Sequence, residues 1–345
     1  MTEELTLTRP DDWHLHLRDG AALRTTVPAT ANVFARAIVM PNLAPPITTV
    51  AAAEAYRARI LEAIPRGLHF EPLMTLYLTD HTTPDDIRAA AESANVFACK
   101  LYPSGATTNS AAGVTNIDAI APTLAAMEEH DLPLLLHGEA TDPAVDVFDR
   151  EKVFIDRVLA PLLDHHPALR VVFEHITTAD AVQFVEESAA PIAATLTPQH
   201  LLMNRNDLFT NGLRPHNYCL PVLKRRNHQE ALQRAATSAN PRFFLGTDSA
   251  PHATDAKQSD HGCAGCYSAP HALPLYAHFF DSVNALDRLE PFASHFGPDF
   301  YRLPRNTTTI TLRKQPHLVP DHLTYPDSTG ITPYWAGANL TWQVV

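Results

Sequence analysis

The sequence predicts an α/β fold, a (β/α)₈ barrel of the TIM type with a helical or irregular C-terminal extension. Eight short runs of β-branched or aliphatic residues recur along the chain, and segments of helical composition separate several of them. Strands that alternate with helices favour a parallel sheet. Eight repeats within roughly 240 residues match a closed barrel, whereas a doubly wound sheet usually has about six strands.

The predicted strands occupy residues 13–17, 37–40, 70–78, 96–101, 134–137, 171–175, 192–196 and 243–247, all within about 11–252. The predicted helices occupy residues 50–64, 117–130, 148–165 and 227–238, and the first is rich in Ala, Glu and Arg, which favour helix. The extension, about residues 270–345, starts with a predicted helix at 273–289 and continues as irregular, proline-containing chain packed outside the barrel. Since no low-complexity linker divides the chain, we expect one domain over residues 1–345.

Composition excludes several classes of partner. The chain has 38 acidic and 26 basic residues, a net charge of -12, and no block of Lys and Arg long enough to follow a phosphate backbone, so we expect no nucleic-acid partner. The N-terminal segment does not resemble a signal peptide, and no run of about 18 apolar residues occurs, so we expect a cytoplasmic protein without a membrane partner. Four cysteines are too few for a disulfide framework.

The first predicted strand carries a histidine pair with the spacing of a chelate. His14 and His16 are two residues apart, so on a strand both project from one face, while Trp13, Leu15 and Leu17 would point the other way. By itself the pair is equally compatible with surface histidines on an edge strand. Ionisable residues at the ends of other strands favour the metal interpretation.

Those residues are Lys100, which ends the fourth run, His137, which ends the fifth, His175, which ends the sixth, and Asp248, which follows the eighth. The steps from Lys100 to His137 and from His137 to His175 are 37 and 38 residues, which fits one βα unit each. Side chains at the C-terminal ends of barrel strands converge on one mouth, where barrel enzymes hold their catalytic groups.

Burying these histidines with Asp248 and Lys100 would be costly unless cations compensated them. Two divalent ions would do so, and zinc suits imidazole and carboxylate ligands. A protonated Lys100 would repel both ions. We therefore expect Lys100 to lose its proton and to react with CO₂, giving a carbamate whose two oxygens bridge the metals; the alternative is a lysine in a salt bridge at a strand end.

Several motifs then identify a resemblance. The two most specific are RPDDWHLHLRD at residues 9–19 and GTDSAPH at 246–252. Between them lie MPN at 40–42, KLYP at 100–103, LHGE at 136–139, FEHIT at 173–177 and TPQH at 197–200. With these motifs the chain resembles the dihydroorotases of the amidohydrolase superfamily, the class found as free-standing enzymes in many bacteria. The similarity covers most of the chain.

The resemblance implies reversible, zinc-dependent hydrolysis of dihydroorotate to N-carbamoyl-aspartate, a step of pyrimidine biosynthesis, carried out by a homodimer. It implies two Zn²⁺ per subunit, bridged by N6-carboxylated Lys100 and a hydroxide. The implied ligands are His14, His16 and Asp248 for the more buried ion and His137 and His175 for the other. Asp248 would also carry the catalytic proton.

The same resemblance implies how the small-molecule substrate is bound. Its free carboxylate would contact the side chains of Arg18, Asn42 and His252 and main-chain groups of Leu220 and Ala264, and His137 would also face the substrate. Thr107 and Thr108 would lie on a mobile loop that closes over it.

Two other functions remain as alternatives. Another cyclic amidase, such as a hydantoinase or an allantoinase, would share the metal ligands but would not need Arg18 two residues past the histidine pair. A barrel that binds a partner enzyme without catalysis is disfavoured, because it would have no reason to bear the desolvation cost of six ionisable groups in one cavity. Cys263 and Cys266 have the spacing of a zinc knuckle, but no second pair completes a tetrahedral site nearby in the sequence.

Overall fold

Eleven strands form two sheets in the computed structural model, which describes residues 3–345. They are β1 (Glu4–Thr8), β2 (Asp12–Leu15), β3 (Arg36–Val39), β4 (Glu71–Tyr77), β5 (Val96–Leu101), β6 (Leu134–Leu136), β7 (Val171–Phe173), β8 (Ile192–Leu196), β9 (Phe243–Leu245), β10 (Thr309–Leu318) and β11 (Asn339–Val344). Strands β2 to β9 lie side by side in sequence order, all parallel, and form the barrel. All eight predicted barrel strands are confirmed, each within two residues of its predicted bounds.

Helices surround the barrel. They are α1 (Leu23–Ala31), α2 (Val50–Glu62), α3 (Pro84–Glu92), α4 (Ala121–Glu129), α5 (Arg150–Phe154), α6 (Ala160–His165), α7 (Ala179–Glu187), α8 (Pro198–Leu202), α9 (Arg226–Thr237), α10 (Thr254–Lys257), α11 (Ala272–Ser282) and α12 (Phe296–Tyr301). Threonine side chains cap several of them by accepting a hydrogen bond from the first turn, as Thr49, Thr83 and Thr178 do. The predicted helices are confirmed; that at 148–165 is α5 and α6 joined by a π-helical turn, Ile155–Leu159. Within residues 3–345, no helix is long and apolar enough to span a bilayer.

The barrel closes where β9 meets β2. The Asp248 N–H donates to the His14 carbonyl over 2.9 Å. The buried Asp12 carboxylate accepts hydrogen bonds from the N–H of Thr247 at 2.8 Å and from its hydroxyl at 2.6 Å. These contacts set the register between the first and the last barrel strands, so His14 and Asp248 are placed beside each other.

The barrel strands place their side chains in two layers. The inner layer lies below the mouth and includes Ile38, Leu73, Ala98, Leu135, Val172, Ala193 and Phe244. Cys99 belongs to the outer layer against the helices. Trp13 lies in the inner layer, whereas Leu15 and Leu17 lie in the outer one. The prediction that Trp13 would point the same way as Leu15 was therefore wrong, because the β2–β3 pairing shifts register between Asp12 and Leu15.

The C-terminal extension seals the barrel interior from below. The ring of Tyr301 stacks on that of Trp13, with centroids 4.4 Å apart and an interplanar angle of 13°. Gly297, in α12, lies so close to Trp13 that a Cβ there would be 1.9 Å from the indole nitrogen. Only glycine permits this approach, which brings α12 against the inner layer.

The rest of the extension differs from the prediction. The predicted helix at 273–289 ends earlier, as α11, and a short 3₁₀ turn, Leu286–Arg288, follows it. The chain predicted to be irregular contains β10 and β11, which form an antiparallel sheet with β1. In this sheet Leu5 pairs with Leu312 at the opposite end of the chain. Local composition could not reveal strands whose partner is so distant in sequence.

Candidate active site

The carboxyl ends of the barrel strands surround one small cavity. Most of the predicted site residues line it, with three further residues beside them: His14, His16, Arg18, Asn42, Tyr102, Thr107, Thr108, His137, His175, Leu220, Asp248, Ala250, Ala264 and Gly265. The two other predicted residues are close by. Lys100 is fully buried near Tyr102, with its Nζ 4.7 Å from the ring centroid, and His252 contacts Arg18.

Three donor atoms at the base of the cavity form a compact triangle. His14 Nε2 lies 3.3 Å from His16 Nε2, and Asp248 Oδ1 lies 3.2 Å from the first and 3.1 Å from the second. Ligand atoms about 2.0–2.1 Å from a zinc ion at tetrahedral angles lie roughly 3.3 Å apart, so the triangle has the dimensions of one face of such a site. His175 adds a buried Nδ1 with no hydrogen-bond partner within the described residues. These residues fit a metal ion.

Burial and mutual contact set the protonation of this triangle. Burial disfavours charge on His14, but the carboxylates of Glu174 and Asp248 outweigh it and raise the pKa of His14 to about 9. Burial lowers the pKa of His16 to about 4. Burial also opposes ionisation of Asp248, yet its contacts with His14 and His16 hold the pKa of Asp248 well below the usual range. An ionised carboxylate thus lies beside a protonated His14 and a neutral His16, and a cation can take the place of the His14 proton.

Lys100 lies on the floor of the site in a buried ion pair. Its Nζ contacts the Glu174 carboxylate, and both side chains are completely buried. Burial lowers the pKa of Lys100 despite this partner, because an ammonium loses its hydration there. Lys100 is therefore a buried amine at a strand end beside the histidines.

Two more imidazoles complete the metal-ligating candidates. The rings of His137 and His175 have centroids 4.8 Å apart, and the His175 ring is 5.0 Å from that of His14. His137 Nε2 lies 2.8 Å from Glu139 Oε2. Burial lowers the pKa of His175 well below its usual value, so this imidazole is neutral and able to donate a lone pair.

A cationic group lies on another side of the cavity. Arg18 Nη2 is 2.9 Å from His252 Nε2, and Arg18 Nε donates to the Pro251 carbonyl over 3.0 Å. Burial, followed by the charge of Arg18, lowers the pKa of His252 to about 2, so His252 is neutral. With the Asn42 amide also lining the cavity, this side can receive an anion.

A loop covers the cavity. The amide of Asn42 donates to the Thr108 carbonyl over 3.1 Å, and the amide of Asn109 donates to the Asn42 carbonyl over 3.0 Å. The N–H of Thr107 donates to the Ser110 hydroxyl over 2.9 Å, which folds the loop on itself. Thr107 and Thr108 therefore lie over the site in this structure.

Three site residues have unusual backbone conformations. The φ angles of Arg18, His175 and Asp248 are 59°, 42° and 44°, in the left-handed region that residues other than glycine seldom adopt. Each residue lies just past the end of a barrel strand, where the turn directs its side chain toward the mouth. Such a conformation costs on the order of 1–3 kcal/mol, and residues held in it are often found at functional sites.

Sequence reasoning did not single out Tyr102, Glu139 or Glu174 as site residues. Each follows an inward-facing strand residue by two positions: Tyr102 follows Lys100, Glu139 follows His137, and Glu174 follows an inner-layer valine. Extending the period-two alternation past the strand ends would have identified them.

Comparisons with known proteins identify the family of the chain. A family model described as the amidohydrolase family matches residues 11–335. A dihydroorotase from Idiomarina loihiensis is 64% identical over 343 residues, which are 99% of each chain. The crystal structure of a Campylobacter jejuni dihydroorotase superposes with a TM-score of 0.90 at 35% identity, covering 100% of this chain and 98% of that one. A Saccharomyces cerevisiae dihydroorotase in complex with 5-fluoroorotic acid gives 0.91 at 35% identity, covering 99% and 98%.

The fold and the site therefore define a metal-dependent hydrolase, and the chain belongs to the amidohydrolase family. Its similarity to dihydroorotases extends over the full length of both chains. Within the family, the chain falls in the dihydroorotase group.

Proposed function

We propose that the chain catalyses the reversible hydrolysis of (S)-dihydroorotate to N-carbamoyl-L-aspartate in de novo UMP synthesis. The observation that carries the proposal is the pairing of two features in one cavity, the His14, His16 and Asp248 triangle and the anion-receiving side at Arg18. Dihydroorotate needs both, because it has an unreactive cyclic amide and a free carboxylate. The full-length similarity to dihydroorotases supports the same activity.

Two zinc ions are the proposed cofactors. His14, His16 and Asp248 would hold one, His137 and His175 the other, and a carboxylated Lys100 together with a hydroxide would bridge them. When bound, the ions would polarise the amide carbonyl and supply a nucleophile at neutral pH. Burial supports the modification of Lys100, since the lowered pKa of its amine increases the neutral fraction that can react with CO₂.

The residues around the cavity would orient the substrate. Arg18 provides a permanent charge for the carboxylate, and neutral His252 and the Asn42 amide provide uncharged hydrogen-bonding groups beside it. Main-chain groups of Leu220 and Ala264 would help to hold the same carboxylate. With Thr107 and Thr108 over the opening, water would be excluded during the reaction.

Asp248 is the proposed proton carrier. In ring opening its carboxylate would accept a proton from the attacking water as oxygen bonds to the amide carbon, and deliver it to the ring nitrogen as the carbon–nitrogen bond breaks. Ring closure would use the reverse order. Because closure consumes a carboxylate and takes up one proton overall, the equilibrium should shift toward dihydroorotate as pH falls.

A ring-opening assay tests the proposal. Purified protein should open dihydroorotate, lose activity after a chelator removes its metal, and regain it with Zn²⁺. Dihydrouracil has the same ring without the carboxylate, so it separates the proposal from a hydantoinase-type amidase: preference for dihydrouracil would contradict the role of Arg18. Activity that survives complete metal removal would refute the metal site, and a protein that purifies without metal and without activity would be a scaffold.

By the same resemblance we propose a cytoplasmic homodimer in which residues 1–345 form one domain. Light scattering coupled to size exclusion measures the dimer. A monomer at micromolar concentration would refute the homodimer.

A further inference from the structure

Glu174 is a buried carboxylate between two of the proposed metal ligands, yet nothing in the proposed reaction uses it. It follows β7, its side chain is completely buried, and its N–H donates to the Leu136 carbonyl over 3.1 Å. This hydrogen bond anchors the backbone of Glu174 to the neighbouring strand, so the position from which its side chain extends is fixed.

Each oxygen of Glu174 contacts a different residue. Oε1 lies 3.1 Å from His14 Nδ1, and Oε2 contacts Lys100 Nζ. Both atoms are buried, and neither makes a well-aligned hydrogen bond within the described residues, so their 3.1 Å approach is an ionic contact that the carboxylate makes to the ring edge. The carboxylate thus connects a residue of β2 with a residue of β5.

The contact with His14 decides which ring nitrogen is available to a metal. Neutral imidazole carries one N–H, and a carboxylate at Nδ1 holds the proton there. The lone pair is then on Nε2, the atom that faces His16 Nε2 and Asp248 Oδ1. A carboxylated Lys100 would keep one hydrogen on Nζ, and the same geometry lets Glu174 Oε2 accept it.

We infer that Glu174 is a positioning residue that orients His14 and Lys100 together, through one carboxylate oxygen each. Carboxylates that accept the second N–H of a ligating histidine fix its tautomer and ring plane, and their loss typically weakens metal binding 10- to 100-fold. This inference rests on the proposed metal site, and Glu174 itself stays outside the ligand set.

The experiment compares the wild-type protein with Glu174→Gln. Glutamine has the same size, but its NH₂ group would face one of the two N–H donors. Two measurements are made with Zn²⁺ alone: the zinc affinity by chelator competition, and the imidazole ¹⁵N spectrum of histidine-labelled protein, with His14 assigned by the loss of its signals in His14→Asn. In the wild type we expect a protonated Nδ1 and a zinc-bound Nε2 for His14. In Glu174→Gln we expect 10- to 100-fold weaker zinc binding and altered His14 signals.

Glu151→Gln is the matched control. Glu151 is equally buried and accepts hydrogen bonds from the hydroxyls of Thr177 and Thr178, away from the metal-ligating groups. It should lower the unfolding temperature and leave the His14 signals unchanged. A Glu174→Gln protein with wild-type zinc affinity and unchanged His14 signals would overturn the inference.

The wild-type spectrum gives a second test that needs no variant. Zinc on Nδ1 of His14 would make Glu174 a ligand, since His14, Glu174 and His175 can also surround one ion, and would overturn the positioning role. A wild-type protein that binds no zinc would overturn the proposed function as well. A wild type that binds zinc and turns over, with Glu174→Gln indistinguishable from it, would refute this inference alone.

Discussion

Asp248→Asn separates metal binding from proton transfer. Asparagine keeps an oxygen where Asp248 Oδ1 lies, 3.1–3.2 Å from the two histidine nitrogens. It also tolerates the left-handed backbone at this position, where φ is 44°. An amide cannot accept and return a proton, so we expect zinc to be retained and catalysis to be lost.

The expected loss follows from the neighbouring groups. A positioned general acid–base contributes about 10²- to 10⁴-fold to a rate. His16 would use its lone pair on the metal, and His252 Nε2 lies 2.9 Å from Arg18 Nη2, so neither imidazole is placed to replace Asp248. We therefore expect turnover to fall at least ~10²-fold in both directions, a barrier increase of about 2.7 kcal/mol.

The assay measures initial rates of ring opening and ring closure on protein whose zinc content is determined in the same sample. Asp131→Asn is the control, because Asp131 also has a positive φ, 53°, and pairs with Arg170 outside the cavity. It should leave turnover unchanged. If the Asp248→Asn protein, with zinc confirmed, still worked within a few-fold of wild type, another residue would have to carry the proton.

Three further substitutions test other parts of the molecule. His16→Ala should lower zinc content and activity together, since it removes one ligand; full occupancy with normal turnover would refute the assignment. Arg18→Met should keep zinc but raise KM roughly 30-fold or more, because losing a buried charge-assisted contact costs about 2–5 kcal/mol, and zinc loss would show that Arg18 has another role. His200→Gln should make the stability of the protein less sensitive to acid. Burial lowers the pKa of His200 to about 4, so between pH 6.5 and 4 the unfolded chain binds a proton that the folded chain does not. The free energy of unfolding of the wild type therefore decreases as the pH is lowered through this range, by up to about 3 kcal/mol. Urea unfolding at pH 7 and 4.5 measures this, and an equal loss in the variant would contradict it.

The barrel could be predicted from local pattern because each strand is a short apolar run bounded by polar residues. Strands β5 and β8 were predicted to the residue. The metal-ligating candidates could be predicted for the same reason, since they end these runs and parallel strands bring their carboxyl ends together. The roles of Arg18, Asn42 and His252 came instead from resemblance to a family, because spacing along the chain does not reveal an anion site.

Alternation along a strand failed where pairing was irregular. Trp13 turned inward because β2 shifts register against β3, and a register shift depends on the neighbouring strand. Glu174 was missed for a related reason. His175 faces the cavity only because its φ angle is positive, whereas Glu174 faces inward by the regular alternation of a strand. The inward direction was assigned to His175 from the sequence, and Glu174 was therefore not considered.

By itself the sequence determined the barrel, the order of its strands and the ionisable residues at their ends, because these depend on local periodicity and on short connections. Only the tertiary structure decided where the N-terminal and C-terminal segments pack. The β1–β10 pairing joins residues some three hundred positions apart, and Gly297 of α12 packs directly against Trp13 at the base of the barrel. It also decided which nitrogen of His14 faces Asp248: Nε2 lies beside Asp248, and Nδ1 lies beside Glu174, which follows another strand. Contacts between distant segments leave no periodic signal in either segment, so they become visible only when the chain is folded.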